Sequence, residues 1–222
     1  MKVKSIRGTN VVSIMSRQTI LNYRALAQVE GFWDALCRDD ALPSRSQIDP
    51  RGMEEALEYA FVLERIAPGI GRFRIAGMHL NELMGMEVRG MPLSAMFLPE
   101  SRKELGKMVE TTCAEPQVTT LTLKGAGSIG RPRIEAQMLL LPLCDDFGEV
   151  TRILGCLQSK GRIGRQPRRF SIAHTQSQPI CTKHFFYPVQ QDQHNLADPS
   201  GHYTPKLTNK GPDDKRPALR WL

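Results

Sequence analysis

The chain has 222 residues, 41% of them apolar, with a mean hydropathy of −0.33, which suits one ordinary domain with extensions or two small ones, and no apolar run approaches the roughly 20 residues of a membrane-spanning helix. The net charge of +7 is uneven: residues 1–160 carry 20 Lys/Arg against 19 Asp/Glu (+1), and residues 161–222 carry 10 against 4 (+6). A basic end of this kind permits weak association with nucleic acid or anionic surfaces, without specificity of its own.

In chain order, residues 1–27 read as an N-terminal extension and the start of a helix. The opening MKVKSIRGTNVVSIMS is too short and interrupted for a signal peptide, so a cytoplasmic protein with no membrane partner is expected. Val29, Phe32, Trp33, Leu36 and Cys37 then repeat at i, i+3, i+4, i+7 and i+8, the spacing of an amphipathic helix that must cover an apolar surface. After the polar link ALPSRSQIDP, Asp49-Pro50 gives an N-cap and an N1 proline for a short helix over 50–57. EYAFVLERI and RFRIAG, separated by Pro68-Gly69, predict a hairpin, with Phe73 and Ile75 on one strand face and Arg72 and Arg74 on the other. Short helical pieces broken at Gly85 and Gly90 follow, and then a longer helix in ESRKELGKMVETTCAE.

Three more apolar runs, QVTTLTLK, RIEAQMLLLPL and TRILGCLQS, complete five predicted strands. Their separators are too short for helices, so the strands pair antiparallel in an α+β fold. Met138 to Leu141 are apolar on both strand faces, which requires cover on both sides of the sheet. Short helices supply one cover. The N-terminal stripe of Val29, Phe32, Trp33 and Leu36, set against Leu139 and Leu141, supplies the other, or else a second subunit does. The separator KGAGSIGRP contains Gly125, Gly127 and Gly130 in the G-x-G-x-x-G spacing of a dinucleotide turn. Residues 131–142 are too few for the crossover helix and parallel strand that such a turn needs, so the glycines are read as a flexible hairpin with positive φ. A nucleotide-binding enzyme built on this motif is the least favoured reading.

The order of two strands, several short helices and three strands resembles a PAS domain, and FRIAGMHLNELMGMEVRGMPLSAMF resembles its core. More specifically, FWDAL, LPSRSQIDP, FVLERI, RFRIAG, MLLLPLCDDFGEVTRILGCL and GRIGRQPRRF are similar, in order and spacing, to a bacterial family of compact single-PAS-domain proteins. The resemblance covers about residues 28–175. It implies a five-stranded antiparallel sheet with short helices on one face and the N-terminal amphipathic helix on the other. It also implies a non-catalytic sensory or regulatory module in bacterial signalling or transcription control, a homodimer formed through the N-terminal helix, and a ligand held between sheet and helices.

Candidate pocket residues on that reading are Phe61, Phe73, Ile75, Leu83, Met84, Leu121, Leu123, Met138 and Leu154. No cofactor is named. MFLPESRKELG lacks the cysteine of covalent flavin binders, residues 100–115 lack the histidine of haem binders, and His79 is the one histidine near the helical patch. The five cysteines are scattered without a CxxC pair, and no metal site or catalytic constellation is expected. Arg162, Arg165, Arg168 and Arg169 form a basic cluster, candidates for contact with nucleic acid or an acidic partner. Residues 176–222, basic and proline-rich, are expected to be a disordered tail.

Overall fold

The computed structural model describes residues 23–37 and 41–180. The N-terminal stripe forms helix α1 (Arg24–Leu36), and the upstream part of the predicted helix lies outside the described residues. A 3-10 segment (Pro50–Ala56) then starts as its sequence dictates: the Asp49 carboxylate accepts the Arg51 amide at 3.0 Å, and Pro50 occupies N1. Strands β1 (Ala60–Ala67) and β2 (Ile70–Ala76) form the predicted hairpin. Helix α2 (Met78–Met84) ends at Gly85, whose φ of 70° is the left-handed conformation a helix stop wants. A 3-10 turn (Leu93–Met96) and helix α3 (Pro99–Ala114) lead to β3 (Gln117–Gly125), β4 (Ile134–Cys144), β5 (Val150–Lys160) and β6 (Phe170–Pro179).

All neighbouring strands pair antiparallel, in the order β2-β1-β5-β4-β3-β6. The sheet therefore has six strands where five are expected from the sequence. The addition, β6, pairs with β3 from Gln117↔Pro179 to Gly125↔Phe170 and carries the ordered fold past residue 175. Its sequence, FSIAHTQSQP, is mostly polar and half of its residues are exposed, so it gives little hydrophobic signature; the backbone ladder to β3, with Phe170 buried in the core and Ile172 beside it, holds it in place.

The sheet separates two cores. Phe61, Leu63, Phe73, Leu121, Leu123, Met138 and Leu157 meet α2, the Leu93–Met96 turn and α3 on one side. Val62, Leu139, Leu141, Leu154 and Cys156 meet α1 and the 3-10 segment on the other. Strand parity makes this division, since successive residues face opposite sides. Each fully buried Leu or Phe stabilises the fold by about 1.5–3 kcal/mol relative to exposure.

Candidate functional site

Seven of the nine predicted pocket residues converge between sheet and helices. Phe61, Phe73, Leu83, Met84, Leu121, Leu123 and Met138 all belong to one buried cluster. The Phe61 and Phe73 rings meet edge-on at 5.4 Å. Phe61 lies directly over Gly155, so near that a Cβ there would sit 2.2 Å from its ring. Met84 and Met96 fill the interior, while Met78 and Met86 of the same methionine-rich stretch are exposed. These side chains meet across the space in which the resemblance places a ligand.

Two predicted pocket residues face elsewhere. Ile75 is 49% exposed because β1 and β2 slip register between Val62↔Ile75 and Leu63↔Phe73, and the irregularity at Arg74 puts Ile75 on the face opposite Phe73. Leu154 belongs to the α1-side core, since Ile153 and Leu157 hold the helix-side parity on β5. Both residues line a half-open cleft of about 130 Å³ on the outer face, with Ile48, Met53, Leu57 and Val62 among its other apolar walls and Arg45 its one charged lining residue.

Helix α1 covers the remainder of that face. Val29 and Trp33 are buried against the sheet, and the Trp33 indole N–H donates to the Pro142 carbonyl at 3.0 Å. Leu139 and Leu141 are fully buried beneath it. Of the stripe assigned to dimerisation, these four residues are consumed within the single chain, and only Phe32 and Leu36 stay partly open, with Phe32 against Gly52.

The sheet order, with helices on one face and an N-terminal helix on the other, accompanies a family match: the description "PAS domain" fits residues 21–158. The chain belongs to the PAS domain family. No curated protein matches it. Among solved structures it is similar to a light-oxygen-voltage domain studied with a flavin analogue, at 18% identity and a TM-score of 0.39, covering 50% of this chain and 84% of that one. It is also similar to the blue-light photoreceptor Aureochrome1 LOV in its light state, at 14% identity and a TM-score of 0.37, covering 50% and 88%. An RNA-binding light-oxygen-voltage receptor follows at 15% identity and a TM-score of 0.36, covering 70% of this chain and 36% of that one.

Within this PAS domain His79, three cysteines and Asp145 sit in defined structural settings. The His79 ring stands edge-on to Tyr59, its Nε2 lies 3.0 Å from the Ser159 hydroxyl and accepts the Ser159 amide at 3.3 Å, and its Nδ1 faces the Glu82 carboxylate at 3.9 Å. Burial lowers its pKa, and the nitrogen that an axial ligand would use is already occupied. Burial pushes the Cys37 and Cys113 thiols up to about 11 and Cys156 higher still, which leaves none of the three a reactive thiolate at neutral pH. Burial also acts to raise the Asp145 carboxyl, but the Thr151 hydroxyl and the Phe147 and Glu149 amides bond its charged form and hold its pKa down. That carboxylate shapes the β4–β5 turn.

The basic candidates divide. Arg162, Arg165 and Arg169 are exposed. Arg168 is 1% exposed, and its guanidinium donates to the carbonyls of Pro132 (2.7 Å), Ile163 (2.9 Å) and Ala126 (3.4 Å). It is an internal strut rather than a surface contact, and is the one of the four contact candidates that the fold buries. The strut clamps the glycine loop: a Cβ on Gly125 would sit 2.3 Å from Ile134 and 3.2 Å from Arg168, while Gly130 adopts φ 74° at a tight turn closed by Ser128 and Arg131. The triplet is a hairpin between β3 and β4, as its length requires. Sequence reasoning missed Arg168 because nothing local distinguishes a buried arginine from its exposed neighbours.

Proposed function

We propose that this chain is a non-catalytic PAS regulatory module that acts by binding, and that the binding face is the outer surface of β1 and β2 rather than the space between sheet and helices. One observation carries the reading: the outer face offers the apolar cleft, with Ile75 49% and Leu57 39% exposed, while the helix-side residues are packed against one another. Concave, mostly apolar surfaces with few polar groups suit small ligands and apolar partner side chains. The partly open Phe32 and Leu36 of α1 extend the same face, so a homodimer formed beside this helix is the favoured protein complex.

Native mass spectrometry of the full chain, with and without Ile75→Glu, tests the proposal. Either a bound small molecule or a dimer in the parent chain, lost in the variant, supports it. A parent chain that is monomeric and carries no added mass, or one whose ligand or dimer the variant retains equally, overturns it.

A further inference from the structure

Two segments, KGAGSIGRPR (124–133) and KGRIGRQPRR (160–169), hold eight Lys/Arg and no Asp or Glu. The fold brings them together: the Arg165 amide donates to the Gly130 carbonyl at 2.9 Å, Arg131 reaches the Gln166 carbonyl at 3.4 Å, and Arg168 ties both loops from within. The described residues contain 19 Lys/Arg and 17 Asp/Glu, so taking away these eight leaves 11 against 17, and the charge of the domain is segregated. Glu135 is the nearest carboxylate in register, paired across the sheet with Lys124 on one side and Lys160 on the other. The exposed Arg133, Arg162 and Arg165 have no such counterpart in the two loops. At the tip of the first loop Ile129 is fully exposed, presented by the turn that Ser128 and Arg131 close.

We propose that this surface docks on an anionic lipid bilayer, with Ile129 entering the headgroup region and Arg133, Arg162 and Arg165 lying against lipid phosphates and carboxylates. Cations alone suit any polyanion. The isoleucine favours the bilayer, because an apolar tip gains from burial at the acyl boundary, whereas on a duplex it gains only by the costly unstacking of a base step. The two loops also contain no aromatic side chain on which a base could stack. This departs from the expectation of no membrane partner, which rested on spanning segments and signal peptides. No described helix is long and apolar enough to cross a membrane, and surface docking needs none.

The test is co-sedimentation of the full chain with vesicles of phosphatidylcholine alone and of phosphatidylcholine with a quarter phosphatidylserine, beside a mixed-sequence DNA or RNA duplex. Expected is binding to the anionic vesicles that weakens in high salt. Ile129→Ser should lower the partition coefficient roughly tenfold, and Arg133→Ala or Arg165→Ala about fivefold each. Ile129 and these arginines are exposed, so all three variants should keep the parent melting temperature. Equal partition onto both vesicle types overturns the proposal. So does anionic binding that Ile129→Ser leaves unchanged, which makes the surface a general polyanion site, and so does tight duplex binding without vesicle binding, which makes the partner a nucleic acid.

Discussion

Replacing Arg168 with methionine keeps most of the side-chain volume and removes the charged fork. Its bonds to Pro132 and Ile163, at 2.7 and 2.9 Å, are the two of good length; the Ala126 contact, at 3.4 Å, is weak. A hydrogen bond from a charged donor contributes about 1.5–3 kcal/mol. Two of them give about 3–6 kcal/mol, and the desolvation of the guanidinium, which lowers its pKa with a smaller contribution from Arg131, brings the net nearer about 3 kcal/mol. For a fold of this size that corresponds to a loss of roughly 6–12 °C in Tm. Urea denaturation followed by tryptophan fluorescence suits the measurement, since Trp33 is buried in the opposite core and reports global unfolding. Arg168→Lys should recover part of the loss, because an ammonium can reach one carbonyl but not fork between two. If Arg168→Met unfolds within about 0.5 kcal/mol of the parent, the value typical of surface substitutions, the strut argument is wrong.

Further expectations concern packing and pH. Gly155→Val should destabilise by about 1–3 kcal/mol, since the new Cβ displaces the Phe61 ring, and adding Phe61→Leu should restore part of it; thermal melts of the single and double variants decide. Burial favours neutral His79, so its folded pKa lies below the ordinary 6.5, and the unfolded chain binds the proton more readily. Stability should therefore be complete above that value and fall as pH drops through it toward the folded pKa, and His79→Gln should flatten this limb in urea titrations. Glu110 accepts the Gly69 amide (2.8 Å) and a two-pronged contact from Arg65 (2.7 and 3.0 Å), which hold its pKa below the usual 4.5. Its contribution is present above the unfolded value and lost as pH falls through the folded one, so Glu110→Gln should cost at most about 1 kcal/mol at neutral pH, where solvent screens the pair, and less than that in acid, as stability curves at several pH values would show.

Much of the fold was legible because strong patterns coincide with strong physics. The stripe Val29, Phe32, Trp33 and Leu36 predicts a helix and demands a surface, and Leu139 and Leu141 meet Val29 and Trp33 as parity requires. Asp49-Pro50 starts a helical turn because a cap and a fixed φ act locally. Legibility fails where the outcome depends on partners distant in sequence. Ile75 and Phe73 are two apart and should share a face, but a register slip against β1 separates them. Leu154 sits in ILGCL, apolar on both faces, so nothing in the run itself fixes its side. The strand β6 is polar and its order comes from β3, a neighbour nearly fifty residues away in the chain.

The same reasoning shows how the two faces of the sheet differ. A sheet with apolar residues on both faces needs two covers, and α2 and α3 complete one of them with side chains that close on each other. The other cover is partial: α1 lies over β4 and β5 but leaves the outer side of β1 and β2 to the 3-10 segment, where Leu57 and Ile75 stay open. On the proposed reading, recognition uses that open strip. At one end of the sheet, the Arg168 strut fixes two acid-free loops at a geometry their glycines permit. On the proposal above, this rigid presentation is what would let a run of like charges, ordinarily a solvated segment, serve as a docking surface.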